Sequence, residues 1–135
     1  MLFRSAPVGR YASTVAAQYV PYIMPQEHGN KVGVDWLALR DADGRGLLFS
    51  GHRPLSCNAT HYPAEDLIAA YHTCDLEARN EVFLYLDWMQ RGLGTASCGP
   101  DTLERYRIGS GAFAFDYRFR PLVPRQDAAA THRLP

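Results

Sequence analysis

From Glu81 onward the chain alternates, with Val82, Leu84 and Leu86 on one side and Phe83, Tyr85 and Asp87 on the other. A period of two built from strong β-formers predicts a strand. The strand runs into Gly92, Gly94, Gly99 and Pro100, which break regular structure. The result is a loop of small residues held by a rigid strand, a common setting for binding groups. Ala112 to Arg120 repeats the alternation, with Phe113, Phe115, Tyr117 and Phe119 set against Ala114, Asp116 and Arg118. Four aromatics on one face require a cover.

Upstream, Val32 to Leu39 and Leu47 to Ser50 flank Asp41-Ala42-Asp43-Gly44, a turn sequence, and predict a hairpin. Tyr11 to Pro25, Leu55 to Tyr62 and Tyr106 to Ile108 read as further extended runs. Only Pro63 to Tyr71 carries a helix signature, with proline at its start and Glu65 and Asp66 in the first turn, where acids suit the positive end of the helix dipole. Seven or so short strands with one short helix near residues 63–71 predict an all-β fold, an antiparallel β-sandwich or part of one. Pro121 onward is polar, proline-containing and aperiodic, so residues 122–135 are expected to form a disordered tail. No internal repeat is visible.

Bulk properties narrow the class. A chain of 135 residues suits one domain. Fourteen basic side chains balance fourteen acidic ones, so charge favours neither nucleic acid nor an anionic membrane as partner. No apolar run approaches about 18 residues, so neither a signal peptide nor a membrane span is expected, and the chain reads as cytoplasmic. Cys57, Cys74 and Cys98 are odd in number and widely spaced, which suits reduced thiols rather than a disulfide framework. The sequon at Asn58-Ala59-Thr60 reads as chance in that compartment.

Candidate chemistry is sparse. Asn80-Glu81 resembles an acid/base setting of sugar hydrolases, but Glu81 opens a strand after a charged turn and reads as solvated; Asp87 reads as a cap on the turn into the loop. His72-Thr73-Cys74 offers nitrogen and sulfur ligands, yet no second pair completes a four-ligand site, so no metal is expected. His61 and His72 flank the helix, where bonding to backbone competes with an acid/base role. Cys98 has Arg91 as its nearest basic residue and lacks a Cys/His motif, so contact with a ligand is favoured over nucleophilic attack.

Five ordered segments carry a resemblance. Val20-Pro21-Tyr22-Ile23-Met24-Pro25-Gln26-Glu27-His28-Gly29-Asn30 resembles the YxxPQENGN segment of the C-terminal, small-chain domain of glycoside hydrolase family 2 β-galactosidases. Asp35-Trp36-Leu37-Ala38-Leu39 resembles the strand that follows it. His61-Tyr62 with Glu65-Asp66-Leu67 is similar to the SHYTxEDL element, and His72-Thr73 to the family's next histidine segment. Leu86-Asp87-Trp88 through Arg91-Gly92-Leu93-Gly94 resembles LDYxQxGLG, followed by Ser97-Cys98-Gly99-Pro100 and Tyr106-Arg107. The matches run from about Val8 to Pro121.

The resemblance implies that residues 1–121 are about the second half of that domain, incomplete at the N-terminus, and part of a supersandwich shaped like galactose mutarotase. It implies a share in hydrolysis of terminal β-galactosides such as lactose, with the two catalytic glutamates of this retaining family in a barrel outside this chain. The chain then has no catalytic residue and no cofactor of its own, and is expected to be inactive alone. The implied partners are the barrel-bearing chain or missing N-terminal sequence, with a galactoside substrate; a homo-oligomer is a further option. The loop from Gly92 to Pro100 is implied to wall the sugar site, with Gly94, Ser97, Cys98 and Gly99 as its contacts; Cys98 stands where some members place a stacking tryptophan. His28 replaces the family's usual Asn, Pro63 its Thr and Trp88 its Tyr. Two other functions compete: a freestanding carbohydrate-binding β-sandwich stacking sugars on Trp36, Trp88, Tyr62 and Tyr71, and aldose epimerisation by His61, His72 and Glu104. Half a supersandwich exposes apolar surface, so the isolated chain is expected to associate or stay partly molten.

Overall fold

A computed structural model describes residues 8–91, 96 and 98–134. The described residues divide into two compact units, one formed by the stretches up to Gly29 and Ala59–Phe83, the other by Asn30–Asn58 and Leu84 onward.

The second unit holds most of a four-stranded sheet: β1 (Lys31–Arg40), β2 (Gly46–Thr60), β3 (Phe83–Asp87) and β4 (Tyr117–Leu122). The fold is all-β, and the β1–β2 and β2–β4 ladders are antiparallel. β2 is the hub, pairing with the other three. The expected hairpin forms: the Asp41 amide donates to the Arg45 carbonyl (2.8 Å), and Gly44 takes φ +82° to close the turn. Gly46 follows at a point of close approach, where a Cβ would lie 1.9 Å from the Leu39 carbonyl oxygen.

The runs expected as separate strands at 47–50 and 55–62 are one strand, because the register against β1 slips at residues 51–54 and then resumes at Leu55. That bulge accommodates Pro54, which cannot donate to a ladder. It also explains a second difference. Ala112 to Arg120 is expected as a strand, yet β4 begins at Tyr117, whose partner is Gly51, the residue at which β2 leaves the ladder. Tyr11 to Pro25 forms no strand but holds a short 3₁₀ turn at Ala16–Gln18, and Glu104–Tyr106 is a 3₁₀ turn where a strand is expected. Among the described residues, four strands therefore stand where about seven are expected.

Register fixes the two faces of the sheet, since directly opposed residues point the same way. Leu37, Phe49 and Phe119 form one row and Leu39, Leu47 and Pro121 the next. Trp36, Ser50 and Arg118, then Ala38, Leu48 and Arg120, then Arg40, Gly46 and Leu122, occupy the opposite face. On that second face Leu48 (2% exposed), Leu122 and Ala128 form a buried cluster with Trp36 and Ala38 packed against it.

Ala128 belongs to α2 (Ala128–His132), which corrects the expectation of a disordered tail from residue 122. β4 runs through Leu122, and Leu122, Ala128 and Thr131 are buried. The Asp127 carboxylate caps α2 by accepting from the Ala129 amide at 2.9 Å. This Asp followed by three alanines is a helix start that proline spacing obscured.

In the first unit, α1 (Ala64–Ala69) is the expected helix, with Pro63 and Leu67 buried. It stops early because Ala70 turns to an extended conformation.

Candidate functional site

β3 delivers the chain to the predicted site through Asp87. The Gln90 side-chain amide donates to Asp87 Oδ2 (2.7 Å), and the Asn30 amide donates to Gln90 Oε1 (3.1 Å). This relay joins two segments 60 residues apart in sequence, the one ending in Gly29-Asn30 and the one containing Leu86-Asp87-Trp88. Asp87, expected as a cap on the turn, accepts here from the Gln90 side chain.

The far end of the loop is tied by charge. Arg91 donates to Asp101 Oδ1 at 2.6 Å, Arg107 lies 3.2 Å from Asp101 Oδ2, and Arg107 Nε donates to the Thr102 carbonyl at 2.7 Å. Asp101 Oδ1 also accepts from the Thr102 amide at 2.7 Å. That amide bond, then the hydrogen bond and charge of Arg91 and the charge of Arg107, hold the Asp101 carboxyl below the usual carboxylate range. Between these anchors the Ala96 amide donates to the Pro100 carbonyl (3.2 Å), with Ala96 at φ +66°. Side-chain bonds thus hold Asp87, Gln90 and Arg91 before the loop and Asp101 after it.

Of the four predicted contact residues, Gly94 and Ser97 lie outside the described residues. Cys98 and Gly99 are exposed, and an added Cβ on Gly99 would meet only open space. Sequence reasoning named Arg91 and Arg107 in the family-like segments without giving them a binding role, and passed over Asp101. The signal was an acid directly after Gly99-Pro100 with arginines on both sides.

The other candidates resolve into structural roles. His61 Nδ1 is 3.0 Å from the Glu81 carbonyl, while the His72 amide donates to Asp75 Oδ2 (2.8 Å) at the start of a 3₁₀ turn. Both bond to the chain beside helical segments. The Glu81 side chain is exposed, as is Glu104. Cys57 is buried, which raises its thiol above the ordinary value; Lys31 opposite acts the other way. Cys74 is exposed. Among the described residues no group of three or more His, Cys, Asp or Glu is placed to hold a metal ion, and no helix is long and apolar enough to cross a membrane.

Three of the four candidate stacking aromatics are engaged elsewhere. Trp36 packs on the buried cluster, Trp88 meets Phe113 edge-on at 5.5 Å, and Tyr62 lies 4.8 Å from Tyr19. Tyr71 is exposed. His28, which departs from the family pattern, sits 5.6 Å from both Tyr19 and Tyr22, and its Nε2 accepts from the Val20 amide at 3.5 Å. An imidazole between two phenol rings supplies the packing and the acceptor that the turn needs.

The first unit carries a concavity of about 560 Å³ lined by Asp66, Asp75, Leu76, Glu77, Arg79 and Glu81, among others. Arg79 spans Asp66 with two bonds, 2.8 and 2.7 Å, and these pull the Asp66 carboxyl below its usual range. The arrangement fastens α1 to the strand leading into β3.

Residues 3–120 match the family described as the β-galactosidase small chain. A β-galactosidase of Actinobacillus pleuropneumoniae is 30% identical over 108 residues, which cover 80% of this chain and 10% of that protein. One from Priestia megaterium is 34% identical over 89 residues, 66% of this chain and 9% of the relative. One from Kluyveromyces lactis is 29% identical over 110 residues, 81% and 10%. The chain therefore spans about a tenth of the length of the curated relatives it matches.

Proposed function

The chain belongs to the β-galactosidase small-chain family, and from that premise we propose that it forms the C-terminal portion of a galactoside-hydrolysing assembly. In this reading it is about the second half of the small-chain domain of a retaining, glycoside hydrolase family 2 enzyme. The sheet completes a supersandwich, and its Leu37–Phe49–Phe119 face lies against the remaining strands. The catalytic glutamates belong to a barrel region outside this chain, which supplies no cofactor and acts in the cytoplasm.

The observation that carries the loop's role is the double anchoring of its ends, by Asn30–Gln90–Asp87 on one side and Arg91–Asp101–Arg107 on the other. In this reading the exposed Cys98 and Gly99 meet the sugar together with Gly94 and Ser97. With an exposed cysteine at the tip, aromatic stacking on the aglycone side is replaced by a small soft surface.

The test is complementation with a chromogenic galactoside. The purified chain alone is expected to give no hydrolysis, and mixing it with a β-galactosidase truncated to lack this portion is expected to restore activity. Hydrolysis by the chain alone, or no restoration by the mixture, overturns the reading. In the restored complex, Cys98→Trp is expected to change the ratio of lactose to aryl-galactoside hydrolysis, and an unchanged ratio removes Cys98 from the site.

A further inference from the structure

The family match ends at residue 120, and the residues beyond it fold. They leave β4, turn at Pro124-Arg125 with Arg125 at φ +64°, and return as α2 over one face of the sheet. Leu122 and Ala128 close over Leu48, and the His132 ring lies 6.4 Å from that of Trp36.

The polar part of this closure is as specific as the apolar part. Arg40, the last residue of β1, donates to the carbonyls of Gly44, Val123 and Gln126, so one guanidinium ties the hairpin turn to the returning segment. Gln126 Oε1 accepts from the Val123 amide (3.0 Å), and the Thr131 hydroxyl donates to the Asp127 carbonyl (2.8 Å). A helix of five residues is far below the roughly 12–15 needed to persist alone in water. α2 is therefore helical because it is docked, and its folding and the sealing of the face are one event.

We propose that residues 121–134 are a built-in strap that limits assembly by sealing one of the two sheet faces. A sheet with two apolar faces can stack without end, because each added copy presents a fresh face; a sheet with one sealed face can only close a finite assembly. Without the strap, Trp36, Ala38 and Leu48 would be uncovered as an apolar patch, bordered by Arg40, Arg118 and Arg120, behind the Leu37–Phe49–Phe119 face. The seal depends on this chain's own residues and holds whether or not the chain serves a galactosidase.

The experiment compares the full chain with a version ending at Arg120, both carrying Trp88→Phe so that Trp36 alone reports. Shortening is expected to shift Trp36 emission to the red and to raise the weight-average mass in sedimentation. A synthetic peptide of residues 121–134 added in trans is expected to reverse both. If the shortened chain does not fold, Ala128→Asp decides in its place: it keeps every other residue, sets a carboxylate against Leu48, and is expected to give the same shift and mass increase. Unchanged emission and mass in the folded variant, or changes that the peptide leaves in place, overturn the proposal.

Discussion

The two faces of the sheet are built from the same three strands and end in opposite states. Behind Leu48 the residue is 2% exposed and a helix lies over it, whereas the other face leaves Leu47 at 40%, Tyr117 at 50% and Phe119 at 61%. Strand propensity does not distinguish them, since both faces are apolar at their centres. The difference lies in what the end of β4 and the residues after it supply: Leu122 and α2 seal one side, while among these rows no equivalent buried cluster forms on the other. In the proposed reading, the open apolar face is where the rest of the assembly packs.

The largest expected effect removes the comparison altogether. Gly46→Ala would place its Cβ 1.9 Å from the Leu39 carbonyl oxygen, at the row where β1, β2 and β4 meet. Backbone cannot yield there as a side chain can, so the cost is expected to be of order 3 kcal/mol or more, or failure to fold, read by chemical denaturation. Next, Leu48→Ala on the sealed face is expected to cost about 2–5 kcal/mol, against about 0.5 kcal/mol for Phe119→Ala on the open one. Equal costs would mean that the open face is packed in solution. Phe119→Glu is also expected to reduce self-association of the isolated chain in sedimentation, since a charge there opposes apolar contact. Asp127→Ala, which removes the cap of α2, is expected to cost about 1 kcal/mol and to loosen the sealed face alone, seen as a red shift of Trp36 emission.

Much of this was legible beforehand, for reasons that can be named. β1, the turn at Asp41–Gly44, β3 and the α1 helix follow from local signals: alternation, turn residues and an acidic first turn. β4 was misplaced by several residues because its start depends on Gly51 of another strand, and local alternation carries no record of a partner's bulge. The strap was missed because its sequence is aperiodic and carries Pro121 and Pro124, while its helix rests on a single Asp cap and on the space above Leu48. At the candidate site, Cys98 and Gly99 drew notice as a loop tip, yet the groups that hold the loop are an acid and two arginines whose pairing is a tertiary fact. His28 stands where the resembling family has Asn, and only the positions of Tyr19 and Tyr22 reveal what it packs against.

The smallest expected effect lies off both faces. Asp66 and Asp101 are each held below the usual carboxylate range, Asp66 first by its bonds to Arg79 and Asp101 first by the Thr102 amide. A carboxyl whose folded pKa is depressed binds fewer protons folded than unfolded, so its contribution is present above the unfolded value near about 4 and is lost as pH falls through the folded one. Both carboxylates are solvated, so each share is small. Asp101→Asn is therefore expected to lower the melting temperature slightly at neutral pH and to flatten its decline below about pH 4. Phe119→Ala is expected to leave the slope of that decline unchanged. If Asp101→Asn changed neither the neutral value nor the slope, the Arg91–Asp101–Arg107 cluster would not be holding the loop in solution.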